Sequence, residues 1–252
     1  MPKLGGSQTE ELELNVVNLA AASGYHFSAV DIDSLGATEY TLAVITCDVS
    51  GSVAQYKQEM ESCLQEILQS CQKSQRSENL MMRLVAFNDQ VQELHGFRLL
   101  STIDPSEYAN ALRCVGATAL YDSTYLSLES VAEYGKILSE QDFNVNAICF
   151  VITDGDDNRS KFTPERIAEL KKQILQNEHL ESVLIILVGV NIQDNYMAGR
   201  LQEFKDNANL DGFVQIDDAS AKSLAKLAQW VSQSISSQSK ALGSGQSTSV
   251  SF

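Results

Sequence analysis

Apolar positions along the chain fall into two alternating patterns. Residues 41–47, 80–87, 148–153, 183–190 and 213–216 are short apolar runs. The fourth shows no polar alternation at all, as expected for a strand covered on both faces. Between these runs the apolar residues recur at three- and four-residue steps. Val53, Tyr56, Met60, Cys63 or Leu64, Ile67 or Leu68, and Cys71 mark a helix with one buried face, and Tyr121, Tyr125, Leu128 and Ala132 mark a second. Met197, Leu201, Phe204 and Ala208, then Leu224, Leu227, Val231 and Ile235, mark two more. Thr163-Pro164-Glu165 has the cap, first-turn proline and acidic residue of a further helix start. Asn88-Asp89 predicts a tight hairpin into an antiparallel edge strand near residues 91–97, and a short helix follows Pro105. Strands alternating with helices imply an α/β fold: a doubly wound, Rossmann-like sheet, mainly parallel with one antiparallel edge strand and helices on both faces.

This pattern occupies residues 40–236, and a chain of 252 residues is long enough to give one such domain a full core. Residues 1–39 form an N-terminal extension. Thr9 followed by Glu10, Glu11 and Glu13 reads as a capped, acidic helix start, and Leu12, Leu14, Val16, Val17, Leu19 and Ala20 give it an apolar face. An amphipathic helix is therefore expected up to Gly24, packed on the domain or docked on another chain. Residues 237–252, rich in serine and glycine, are expected to form a flexible tail.

Composition narrows the function. The formal net charge of −15, from 33 acidic and 18 basic residues, repels nucleic-acid phosphates and anionic membrane surfaces. No apolar run approaches the roughly 20 residues needed to cross a bilayer. The opening residues lack the basic start and apolar centre of a signal peptide, so a cytoplasmic location is expected. Five cysteines, odd in number and without a Cys-x-x-Cys pair, are expected to be reduced and mostly buried.

Three segments carry candidate chemistry. The first apolar run delivers Asp48-Val49-Ser50-Gly51-Ser52 where a helix should begin. Gly116-Ala117-Thr118 is a small-residue turn feeding the helix that contains Tyr121. The run ending in Thr153-Asp154-Gly155 brings a second aspartate to a strand end. Two carboxylates and three hydroxyls at the carboxyl ends of parallel strands suit a hard cation with oxygen ligands. A capped helix start without a metal is the alternative for residues 48–52 taken alone. Asp154, Asp156 and Asn158 imitate the start of a calcium-binding loop, but Arg159 stands where that loop needs glycine.

These segments resemble the von Willebrand factor A family, whose metal-ion-dependent adhesion site is written Asp-x-Ser-x-Ser, then Thr, then Asp. Matched motif to motif, the five family positions fall on Asp48, Ser50, Ser52, Thr118 and Asp154. The chain has Gly116-Ala117-Thr118 where the family usually has Gly-Gly-Thr, a change of one methyl group. The resemblance implies the strand order 3-2-1-4-5-6 and a site in which the hydroxyls hold the ion directly while one or both aspartates act through water. It also implies magnesium, with manganese or calcium as substitutes, whose open position takes an Asp or Glu of a partner protein. Intracellular prokaryotic relatives often work beside an AAA+ ATPase, a kinase or phosphatase, or a stress or defence system, and they are not enzymes.

Two rival functions belong to other classes. A metal-dependent phosphoester hydrolase would use Asp48 as nucleophile, but Ser50 stands where such enzymes need a second carboxylate. A self-assembling structural subunit would offer one of its own acidic residues to a neighbouring copy. His26, His95 and His179 are scattered, and neither a phosphate-binding loop nor a dinucleotide fingerprint is present.

Overall fold

The computed structural model describes residues 16–243. In chain order the elements are β1 (Val16–Ala20), β2 (His26–Val30), β3 (Glu39–Asp48), α1 (Lys57–Gln72), β4 (Leu80–Phe87), β5 (Val91–Leu99), α2 (Leu120–Ser139), β6 (Asn144–Thr153), α3 (Pro164–Asn177), β7 (Val183–Val190), α4 (Asn195–Asn207), β8 (Gly212–Ile216) and α5 (Ala221–Ala241). Among the described residues the strands form one eight-stranded sheet in the order β1-β2-β5-β4-β3-β6-β7-β8. β4, β3, β6, β7 and β8 pair in parallel, and β5 runs antiparallel to β4. From β5 to β8 this is the expected 3-2-1-4-5-6 order.

Alternation along β3 sends its side chains into two cores. Ala43, Ile45 and Cys47 meet α1 and α5 through Leu64, Ile67, Leu227 and Val231. Leu42 and Val44 belong to the opposite core, where α2, α3 and α4 contribute Leu128, Val131, Ile167 and Phe204. Each large apolar side chain fully removed from water contributes about 1.5–3 kcal/mol, so the central strands, buried along almost their whole length, anchor the fold. Among the described residues no helix is long and apolar enough to cross a membrane.

The flanks differ from expectation. Residues 1–15 of the expected N-terminal helix lie outside the described residues, and Val16–Ala20 is a strand. Val17 and Leu19 are half-buried while Val16, Asn18 and Ala20 are exposed, a period of two that helical spacing also accommodates. Gly24, at φ +84°, sits in the hairpin turn to β2 and does not end a helix. The C-terminal tail was expected from residue 237, but α5 continues to Ala241. Its last turns are held in place: the Asn146 amide donates to the Gln238 carbonyl (2.8 Å), and Gln238 donates to the Ser182 hydroxyl (2.9 Å). Residues 244–252 lie outside the described residues.

The β1–β2 hairpin extends the sheet beyond its antiparallel strand, and a buried cation fastens it. Arg83, 0% exposed on β4, donates from Nε to Glu93 (2.8 Å) and from Nη2 to the Tyr25 hydroxyl (2.6 Å). Its guanidinium also lies 5.6–5.9 Å from the ring centres of Tyr25, Phe27 and Phe97. Glu93 in turn accepts from the Ser28 backbone N–H (3.0 Å) and the Ser28 hydroxyl. β2 approaches β5 so closely at Gly96 that a Cβ there would collide with the Ser28 carbonyl and hydroxyl oxygens. Gly96→Ala should therefore lower stability by about 1–3 kcal/mol, with faster amide hydrogen exchange in residues 16–30 than in β3 or β6. Exchange that rises equally in all of these strands would show that the hairpin is not docked through Gly96.

Candidate functional site

β3 and β6 are parallel neighbours whose last ladder pair is Cys47 with Ile152, so the residues that follow emerge side by side. Asp48 is 1% exposed. One carboxylate oxygen accepts the Ser50 backbone N–H (2.7 Å), a local turn for which aspartate is well suited, and the other accepts the Thr153 hydroxyl (2.7 Å). Ser50 then opens the 3-10 turn Gly51–Tyr56. The Ser52 hydroxyl donates to Asp154 (2.8 Å), which leaves Ser50 as donor in the 3.1 Å contact between the two serine hydroxyls. Four of the five expected residues thus form one connected set across the ends of β3 and β6.

Thr118 reaches this set through its loop. Val115 N–H donates to the Val49 carbonyl (2.8 Å), and Gly51 N–H donates to the Gly116 carbonyl (3.2 Å). Gly116 has φ +86°, a backbone conformation that favours glycine, while a Cβ there would displace only the exposed Asp89 side chain. Thr118 and Asn158 exchange hydrogen bonds, Thr118 N–H to the Asn158 side-chain oxygen (2.9 Å) and Asn158 N–H to the Thr118 carbonyl (3.0 Å). Thr118 is 6% exposed, and its hydroxyl is not among the buried side-chain atoms left without a partner.

The acidic residues after Asp154 hold the loop rather than gather at a calcium position. Asp156 pairs with Arg200 (2.7 Å), and Asp157 accepts from the Tyr121 N–H (3.4 Å) and the Ser160 hydroxyl. Asp122, in the first turn of α2, accepts the backbone N–H groups of Lys161 and Phe162, both at 2.8 Å. Thr153 and Asn158 hydrogen-bond Asp48 and Thr118, a role that sequence reasoning gave to neither, naming Asn158 only in the calcium-loop imitation. Thr153 lay within the quoted motif, whereas nothing in the sequence marks Asn158 as the partner of Thr118.

The electrostatics of the site are unbalanced. Neither Asp48 nor Asp154 is in an ion pair among the described residues. Burial pushes the Asp48 carboxyl up to about 6, only partly offset by the hydrogen bonds from Thr153 and Ser50, and the Asp154 charge adds to the rise. The Tyr56 hydroxyl is buried without a hydrogen-bond partner. Burial first, and then the charges of Asp154 and Asp48, hold its proton far more tightly than usual. Among the described residues no three His, Cys, Asp or Glu side chains converge as a metal site. The donors here are two carboxylates and neutral hydroxyls, an oxygen-only set whose chemistry fits a hard divalent cation. Beside it runs a groove of about 510 Å³, lined in part by Val49, Asn88, Gln92, Arg113 and Val115.

Residues 44–230 match the family model of the von Willebrand factor type A domain. The chain belongs to that family. Members of the von Willebrand factor A family commonly mediate protein interactions. No curated protein matches the chain. Among solved structures, the D319A mutant of the PilB minor pilin from Streptococcus sanguinis is similar, with 12% identity, a TM-score of 0.56, and coverage of 84% of this chain and 65% of that one. The pilus adhesin SpaC from Lactobacillus rhamnosus GG gives 12% identity and a TM-score of 0.54 over 90% of this chain and 33% of the adhesin. Proximal thread matrix protein 1 from the mussel byssus gives 17% and 0.53 over 79% of this chain and 47% of that one. The chain therefore spans less than two thirds of each of these proteins, and at such identities the likeness is one of fold.

The raised Asp48 pKa has a definite sign. The metal-free folded domain holds the proton more tightly than the unfolded chain, so this group's contribution to stability falls as pH rises from about 4 to about 6. The shift from 3.8 to about 6 corresponds to about 3 kcal/mol. In chelator, Asp48→Asn should therefore melt higher than wild type at pH 8 and lose that advantage at pH 4. A variant that melts lower at pH 8 would mean that the carboxylate is stabilising even without a cation.

Proposed function

We propose that this von Willebrand factor A domain is a non-enzymatic, cation-dependent interaction module with a metal-ion-dependent adhesion site. Ser50, Ser52 and Thr118 would hold the ion through their hydroxyls, with Asp48 and Asp154 acting through water. Magnesium is the first choice because it favours oxygen ligands and retains water, and manganese or calcium would substitute. The bound ion supplies an electrophilic position for an outside carboxylate. The observation that carries this reading is the joining of two aspartates, without ion pairs among the described residues, through the hydroxyls of Ser50 and Ser52 on adjacent strand ends.

The partner on this reading is a protein that offers an Asp or Glu side chain. Arg113, on the lip of the neighbouring groove, would attract an acidic segment, and Val115, 62% exposed, would give it an apolar contact. A cytoplasmic setting, within an assembly such as one containing an AAA+ ATPase or stress and defence components, is part of the proposal. The absence of disulfides among the described cysteines, four of them buried, supports it. A second reading, in which the carboxylate comes from another copy of the chain, draws on the 33 acidic residues and on the pilin and pilus adhesin among its fold neighbours.

Magnesium at about one hundred times its dissociation constant should stabilise the wild-type chain by about 2.7 kcal/mol, or roughly 5–10 °C for a domain of this size. Asp48→Ala and Ser52→Ala should abolish the shift. The same variants should lose magnesium-dependent capture of a partner, and light scattering with and without chelator separates a foreign partner from a second copy. Melting curves of the wild type that do not move with magnesium, manganese or calcium would overturn the proposal.

A further inference from the structure

Tyr56 ends the 3-10 turn that begins beside Ser50 and Ser52. Its ring packs in the core with Val53 and Met60, which is the role the sequence predicts for it. The hydroxyl does not fit that role. It is one of three buried side-chain polar atoms without a hydrogen-bond partner among the described residues. The other two are nitrogens of Arg83 and Arg98, and both of those guanidinium groups are engaged through their remaining nitrogens. Tyrosine has a single polar atom, so in Tyr56 no well-formed hydrogen bond is made at all. A buried hydroxyl left unpaired is destabilising, and phenylalanine would fill the same space without that penalty.

The hydroxyl stands beside Asp154, whose charge and long hydrogen-bonding contact both hold the tyrosine proton, but no hydrogen bond of ordinary geometry joins the two. Asp154 receives the Ser52 hydroxyl on one oxygen, and its other oxygen takes no hydrogen bond among the described residues. A donor without a well-formed hydrogen bond and a carboxylate with accepting capacity to spare therefore stand side by side at the edge of the proposed cation site. Divalent ions with retained waters place hydrogen-bonding water between themselves and such carboxylates.

We propose that Tyr56 is a further positioning residue of this site, whose hydroxyl donates into the Asp154 side once the cation and its water are seated and so holds Asp154 in its water-mediated place. The inference rests on the cation site proposed above. Without the ion the hydroxyl makes no well-formed hydrogen bond, and ion binding completes its contact with Asp154.

The test is Tyr56→Phe in the full chain, titrated with magnesium and with manganese by calorimetry. Affinity should fall by about tenfold, the usual size of effect for a residue that orients a metal ligand. In chelator the variant should melt at or above the wild-type temperature. Addition of magnesium should perturb the near-ultraviolet tyrosine difference spectrum of the wild type, and this signal should be lost in the variant. If the wild type binds neither ion, the cation site itself fails and the inference falls with it. Equal binding by wild type and Tyr56→Phe would overturn the inference alone and leave the cation site standing. A variant that melts lower in chelator would also overturn it, because the hydroxyl would then support packing rather than the ion.

Discussion

The organisation of the site depends on the parallel pairing of β3 with β6. Their ladder runs from Glu39 opposite Asn144 to Cys47 opposite Ile152, and it determines which side chains leave the sheet together. Asp48 and Thr153 meet because they are the next residues along, and their 2.7 Å hydrogen bond closes the two strand ends. A slip of one residue in this register would send each side chain of one strand to the opposite face. Two apolar cores, one on each side of the sheet, act against that slip. The precision of the site is thus supplied largely by packing on the two faces of the sheet.

Around that closure the chain spends its polar groups on tethering loops. The segment with Gly116 is held to the first motif by backbone hydrogen bonds, and the loop after β6 is held to the start of α2 by Asn158, Asp157 and Asp122. Loops so tethered lose little freedom when a ligand arrives, which favours binding at low entropic cost. Among the described residues Asp48 and Asp154 have no basic partner, so the rigid frame presents uncompensated negative charge at one spot.

Much of this was legible in the sequence. Apolar runs and helical spacing located the central strands and helices, because a doubly covered sheet writes its burial into long unbroken stretches such as residues 183–190. The strand ends were legible because Asp48 and Asp154 interrupt such stretches abruptly. The β1–β2 hairpin was not. Val16, Val17 and Leu19 fit a helix face and a half-buried strand about equally, and what decides between them is tertiary: Arg83, Glu93 and Gly96 more than fifty residues away. Tyr56 was read as core for the same reason, since its ring obeys the helix period and only the three-dimensional surroundings of its hydroxyl set it apart.

The double hydrogen bond between Thr118 and Asn158, with Asp122 gripping residues 161 and 162, joins the head of α2 to the strand β6 loop as one body. Asp156 carries the connection on to Arg200 in α4. The loop that bears Thr118 is therefore tied through one continuous series of polar contacts to a helix on the flank of the domain.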